Sequence, residues 1–455
     1  MVYFYALIIN YVYQFKDNNM IEYKNKVQIQ KSKEDIENYK SILSCLFNKE
    51  IKLSNKASTN NCIGALNGNN FFAFKCNFIS RVERILDYFD KYKIDKTKLE
   101  ETLKDIANQR GYYEWSGKYS EIVALDYFIQ CKCIDKIVYV VKEKEGDIFD
   151  SSLTKKLGGD EIDLDFMIEG GDEMRIYCDV KTLSPTYLKL FKNIFERVFE
   201  ATCRNDILIG IENDMYITNK INDKEIANII KSYDKQKKEK MKRKTGLINE
   251  LIECINSEKT TYEYYNRGEP INFKMSYYNK PLPLVGGEEI SPYRLAETYE
   301  NRILDCYNKL LINKPSFIIF VVNPWFSSYI YNDTFNKKDF YRSLSRRIFC
   351  RLKNINELAY NYTKNDNLEN KNIKVSDISK LISGIIYIED NSITYQENGI
   401  DTEAGKEKLY DVYIYTNPNT ENKYYRGLEL GIFFDNLKDD IYNLKDIDDF
   451  YYDNY

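Results

Sequence analysis

The chain has 455 residues, 43% hydrophobic, 30% charged and 15% aromatic, with a formal charge of −4. That much apolar material excludes a wholly disordered chain, and the near-neutral balance confines any nucleic-acid or membrane contact to a local patch. There is no histidine, which excludes imidazole-based catalysis: Ser-His-Asp hydrolysis, Cys-His proteolysis and histidine-ligated metal hydrolysis.

The first fifteen residues, MVYFYALIINYVYQF, are uncharged. They fall short of the ~20 residues a spanning helix needs. They also lack the basic start of a secretory leader, so a tyrosine-rich buried strand and a cytoplasmic protein are expected. The ten cysteines contain no C-x-x-C pair, and only Cys131 and Cys133 are close together. Free thiols in a reducing compartment are expected. Apolar spacing predicts helices at 32–47, 78–90 and 96–108, which makes residues 1–110 a mostly helical N-terminal region.

The pattern changes after Gly117. Residues 118–130 (KYSEIVALDYFIQ) predict a helix and 136–142 (KIVYVVK) a strand. Two short strands follow at 163–168 (DLDFMI) and 174–181 (MRIYCDVK), separated by a Gly-Gly reversal. Ser184-Pro185 then opens a helix to about 202. Residues 207–211 predict a strand, 220–260 a long polar helical stretch, and 261–292 an irregular segment. A helix at 293–311 leads into SFIIFVVNP (316–324). With SGIIYIED (383–390), this run has the continuous apolar character of a strand covered on both faces. Alternating strands and helices over 118–390 predict an α/β core, a mixed sheet flanked by helices. The last 21 residues hold seven aspartates and two lysines. A solvated acidic, tyrosine-rich tail is expected within a C-terminal extension at 401–455.

Charged residues in apolar surroundings mark a candidate site. Asp179 and Lys181 lie two apart on one strand and so share a face. Asp165 reaches the same point if the two short strands are neighbours, and Asp163 shares its face. Glu121 stands where its helix pattern asks for a core residue, and burying a carboxylate alone is costly. Grouped carboxylates with a main-chain carbonyl make a hard oxygen site for Mg²⁺ or Mn²⁺. Such an ion stabilises charge on a phosphate oxygen and acidifies a bound water. A neighbouring lysine orients that water or stabilises developing charge.

The order Glu121 on a helix, Asp165 on a strand, Asp179-Val180-Lys181 ending the next strand, and a helix after Ser184 resembles the PD-(D/E)XK nuclease superfamily. The resemblance covers about 111–215 and, more loosely, the later strands. It departs from the usual pattern in having Leu164 before Asp165 and Asp179 in place of the commoner glutamate. It implies a restriction-endonuclease-like core over 111–400 with a lysine-rich helical insertion near 215–292. It further implies a Mg²⁺- or Mn²⁺-dependent endonuclease, favours DNA over RNA and suits restriction or defence against foreign DNA. A homodimer is compatible with cutting both strands. By this resemblance Asp165, Asp179, Glu121 and the Val180 carbonyl hold the metal, with Asp163 as a further contributor, and Lys181 positions the water. About eight (D/E)-x-K triplets are expected by chance in this composition, so the order of elements carries the resemblance and the triplet does not.

Residues 235–244 (KQKKEKMKRK) hold seven basic groups: Lys235, Lys237, Lys238, Lys240, Lys242, Arg243 and Lys244. This is the best local candidate for phosphate contacts, set against an ordinary solvated helix face. Arg342, Arg346, Arg347 and Arg351 form a second basic face on an expected helix; their forks suit phosphate, and pairing with the acidic surface is the favoured expectation. The alternative function is a non-catalytic nucleic-acid or protein binding module that uses 235–244.

Overall fold

The computed structural model describes most of residues 33–422 and a short strand at 441–443. Residues 1–32, 145–160, 212–220, 280–291, 393–408, 423–440 and 444–455 lie outside the description, as do shorter stretches including 67–71, 109–114, 171–173, 184–185, 242–244, 324–329 and 331–334. The expected N-terminal strand and most of the acidic tail fall among them. The described residues divide into two compact units, one within 184–298 and the other within 33–183 and 299–443.

The larger unit holds a seven-stranded mixed sheet. Its strands are β1 (Ile134–Lys144), β2 (Glu161–Gly170), β3 (Met174–Thr182), β7 (Ser316–Val322), β8 (Ile382–Asp390), β9 (Tyr410–Thr416) and β10 (Ile441–Asn443), side by side in that order. β1, β2 and β3 run antiparallel in turn, whereas β3, β7 and β8 are parallel. The continuous apolar runs behave as expected: every residue of β7 and β8 is buried. Gly384 lies opposite Phe317, and a Cβ there would meet the Phe317 ring at 2.2 Å. The glycine is what lets that ring cross the strand. β9 pairs with β8 along its length, so residues 410–416 add a strand to this sheet.

Helices α1 (33–46), α2 (Phe72–Tyr92), α3 (Thr97–Asn108) and α4 (Ser116–Ile129) belong to this same unit. The described part of the expected helical N-terminal region, 33–108, thus packs within this unit. The reason is a buried ionic cluster that ties α2 to the sheet. The Arg81 guanidinium bonds Asp390 at the end of β8 at 3.0 Å and lies 3.4 Å from Asp126 of α4. Arg84 clasps Asp126 with two bonds of 2.8 Å. Helix α4 is buried from Tyr119 to Phe128 except at Glu121. A helix enclosed on all sides needs no polar stripe, so its sequence shows almost no amphipathic period.

In the smaller unit α5 (Thr186–Thr202), α6 (Asp223–Lys238) and α7 (Leu247–Asn256) pack on a three-stranded sheet. Its strands are β4 (Ile207–Ile211), β5 (Thr261–Asn266) and β6 (Glu269–Tyr277), with β6 in the middle. Phe191, Ile194, Val198, Ile226, Leu251 and Phe273 centre its core. The expectation of an irregular 261–292 is corrected for 261–277, which is a hairpin. Its signal is the Tyr262/Tyr264 alternation and Gly268 at φ +87° in the turn. The long helical stretch 220–260 is two helices, broken before Gly246 at φ +105°. The expected helix 293–311 is α8 (Pro292–Leu304) followed by a 3₁₀ turn, Asp305–Lys309. Among the described residues, no helix is long and apolar enough to cross a membrane.

Candidate active site

The candidate residues Asp165, Asp179 and Lys181 meet where β2 and β3 part. The β2–β3 ladder ends at the pair Phe166–Cys178. One step further Asp165 and Asp179 face each other across the strands. The Val180 N–H donates to Asp165 Oδ2 at 2.7 Å, so a carboxylate takes the place of a ladder partner. Cys178 and Val180 turn to the opposite face and are buried, as period-two alternation requires. In a strand the N–H and C=O of one residue point to the same side. The Val180 carbonyl therefore faces the same opening as the N–H that Asp165 holds.

β1 is distorted at the same level. Tyr139 pairs with Phe166 and Val141 with Leu164, whereas Val140 and Asp165 are not paired. Val140 has φ +59°. A β-branched residue in the left-handed region costs on the order of 1–3 kcal/mol, and such strain gathers at sites that need a particular backbone course. Here the distortion sits opposite Asp165.

Two lysines surround Asp179. The Lys181 ammonium lies 2.6 Å from Asp179 Oδ2 as an ion pair, and that oxygen is buried without a hydrogen bond of regular geometry. Lys309, which nothing in the sequence pattern singles out, donates to Asp179 Oδ1 at 2.7 Å and stands 3.9 Å from Asp165 Oδ1. It reaches the site from the 3₁₀ turn before β7. Burial opposes charge on Asp179, yet the Lys181 and Lys309 ammonium groups outweigh it and hold the carboxyl below the usual range. Asp165 goes the other way. Burial and then the Asp179 charge push it up to about 7, against the pull of Lys309. Burial works against both lysines as well, but the Asp179 charge keeps each above its ordinary value.

Glu121 is near but held apart. It is bound by Lys118 at 2.8 Å and by the Tyr139 hydroxyl at 3.3 Å, which in turn meets Thr102 at 2.8 Å. Ser120 bonds Thr182 at 2.7 Å and fixes α4 against the end of β3. The Glu121 charge contributes to raising Asp165. Asp163 sits in β2 opposite Lys142, and its side chain lies outside the description. Among the described residues, no group of three or more histidine, cysteine, aspartate or glutamate side chains is placed to hold a metal ion. What could hold one is the Asp165–Asp179 pair, which already shares a single cation, together with the Val180 carbonyl. Those are hard oxygen donors that suit a cation keeping part of its water shell.

The basic segments part company. Lys235, Lys237, Lys238 and Lys240 are exposed at the end of α6, whereas Lys242, Arg243 and Lys244 lie outside the description. Lysines in a last helical turn also complement the helix dipole, which is a sufficient local reason for them. Arg346 and Arg347 are buried. Arg347 bonds Glu300 at 3.0 Å, with Arg351 3.7 Å from the same carboxylate. Arg347 and Arg351 thus share a buried carboxylate and not the acidic surface.

No family model, curated protein or solved structure matches this chain.

Proposed function

We propose that the chain is a metal-dependent phosphodiesterase, an endonuclease acting on nucleic acid, with DNA favoured over RNA, and that its larger unit is a restriction-endonuclease-like core. The observation that carries this reading is the meeting of Asp165, Asp179 and Lys181 at the parting of β2 and β3, with Asp165 on the Val180 N–H. A structural ion pair would need neither the second carboxylate nor the distortion of β1 opposite it. Asp165, Asp179 and the Val180 carbonyl would hold Mg²⁺ or Mn²⁺. When bound, the ion supplies charge stabilisation at phosphate and acidifies a water. Lys181, whose side chain is 39% exposed, reaches outward to orient the water or meet the phosphate. Glu121, fixed by Tyr139 and Lys118, completes the negative surroundings. Defence against foreign DNA belongs to the same proposal by resemblance alone, and a cytoplasmic location by the uncharged first residues and the scattered cysteines.

A second reading keeps the fold and drops the chemistry. In it, the exposed Lys235, Lys237, Lys238 and Lys240 bind nucleic acid or a partner protein, and the Asp–Lys cluster is structural.

The test is incubation with Mg²⁺ or Mn²⁺ and circular duplex DNA, single-stranded DNA or RNA, beside Lys181→Ala and Asp179→Ala. Metal-dependent cutting that disappears in both variants is the expected result, and the polymer that is cut names the substrate. Cutting that survives both places the activity elsewhere. Binding without cutting, weakened by neutralising 235–240, favours the second reading.

A further inference from the structure

Lys309 is the cation that Asp165 and Asp179 share. It is 2.7 Å from an oxygen of one and 3.9 Å from an oxygen of the other. Two carboxylates facing each other across parted strands repel, and a positive charge between them relieves the repulsion. The segment that delivers this charge is built into the sheet. Leu311 packs with Leu164, Val141 and Tyr177 of β2, β1 and β3. Its N–H donates to the Ser316 hydroxyl at 3.0 Å. Lys314 pairs with Glu143 of β1 at 2.5 Å and lies over the Tyr177 ring. The 305–316 segment is thus anchored beside Lys309, whose side chain is itself only 26% exposed.

Resting on the metal-dependent reading above, we propose that Lys309 is a positioning residue of the centre. It neutralises Asp165 and Asp179 in the free protein and competes for them with the divalent cation, which must displace its ammonium to use both carboxylates. A lysine is suited to such an exchange, because it is a point charge on a flexible stem that can withdraw without moving the backbone. Lys181 does not substitute for it, being paired with the other oxygen of Asp179.

The test is Mn²⁺ binding to the free full-length protein, followed by electron paramagnetic resonance. It compares wild type, Lys309→Gln and Lys309→Arg, with melting temperatures measured with and without Mn²⁺. Lys309→Gln is expected to bind Mn²⁺ at least about fivefold more tightly than wild type. It is also expected to melt lower without metal and to gain more from Mn²⁺ than wild type does. Lys309→Arg should stay near wild type in both. Folded Lys309→Gln with unchanged or weaker Mn²⁺ affinity overturns the exchange and leaves the metal reading standing. Absence of Mn²⁺ binding in wild type and in Lys309→Gln alike overturns both. Should Lys309→Gln fail to fold, Lys309→Met with Asp165→Asn removes the charge together with its excess partner. Mn²⁺ affinity no tighter there than in Asp165→Asn alone overturns the exchange.

Discussion

Replacing Arg81 by methionine tests whether the N-terminal helices are an integral part of the larger unit. Arg81, Asp126 and Asp390 have fully buried side chains, so no solvent screens what is left when the guanidinium goes. Asp126 keeps Arg84 through two bonds of 2.8 Å. Among the described residues, Asp390 keeps neutral donors alone, the Tyr119 hydroxyl at 2.7 Å and the Ser392 N–H at 3.1 Å. The loss therefore concentrates on Asp390. Removing one partner of a buried pair costs about 3–5 kcal/mol, because an uncompensated charge stays behind. Arg84 is 35% exposed, and Arg84→Met should cost only about 1 kcal/mol. Adding Asp390→Asn to Arg81→Met removes the orphaned charge and should restore stability by about 1–2 kcal/mol. Trp115 is buried in the larger unit, and neither tryptophan, Trp115 nor Trp325, falls within residues 184–298. Urea unfolding followed by tryptophan fluorescence therefore reads the larger unit. A loss below about 1 kcal/mol for Arg81→Met, or equal losses at Arg81 and Arg84, would refute this reasoning.

Four further outcomes are expected. Gly384→Ala drives a Cβ into the Phe317 ring and should cost about 1–3 kcal/mol, with Phe317→Leu relieving much of it; urea midpoints check both. Because Asp165 keeps its proton up to about 7 while the unfolded chain loses it near the ordinary carboxylate value, its contribution to stability is present at low pH and lost as pH rises through about 7. By the same proton, Mn²⁺ affinity should rise about tenfold per pH unit up to about 7 and level off above it, and Asp165→Asn should flatten that profile. Neutralising Lys235, Lys237, Lys238 and Lys240 together should weaken nucleic-acid binding equally across sequences and lower the salt slope by about 0.7–0.9 for each phosphate no longer neutralised, read by fluorescence anisotropy.

Much of the α/β framework is legible in the chain. The runs SFIIFVV and ISGIIYIED are apolar on both faces because both faces are covered. The meeting of Asp165 and Asp179 follows from period two and one antiparallel register. Other features are hidden for physical reasons. Lys309 enters from a turn 130 residues from Asp179 in sequence, and no local pattern marks a lysine whose role is set by tertiary approach. The Val140 distortion is a backbone choice that its residue type argues against. Arg81 looks like any charged residue on a helix until its two buried partners, 45 and 309 residues away, are brought to it. The β5–β6 hairpin is obscured by Pro270 and a high polar content. Its edge strand β5 is half solvated, so its alternation is carried by tyrosine and not by aliphatic residues.

Whether Asp179 and Lys181 form a phosphodiester-cleaving centre is decided by a single-turnover cleavage rate. It is measured in Mg²⁺, on whichever polymer the wild type cuts, for Asp179→Asn and Lys181→Met. Both substitutions are nearly isosteric. Each is expected to lower the rate by at least about a hundredfold, of the size seen when a group stabilising transition-state charge is removed, in protein that stays folded and keeps its nucleic-acid affinity. A rate within about tenfold of wild type in either folded variant would contradict the assignment.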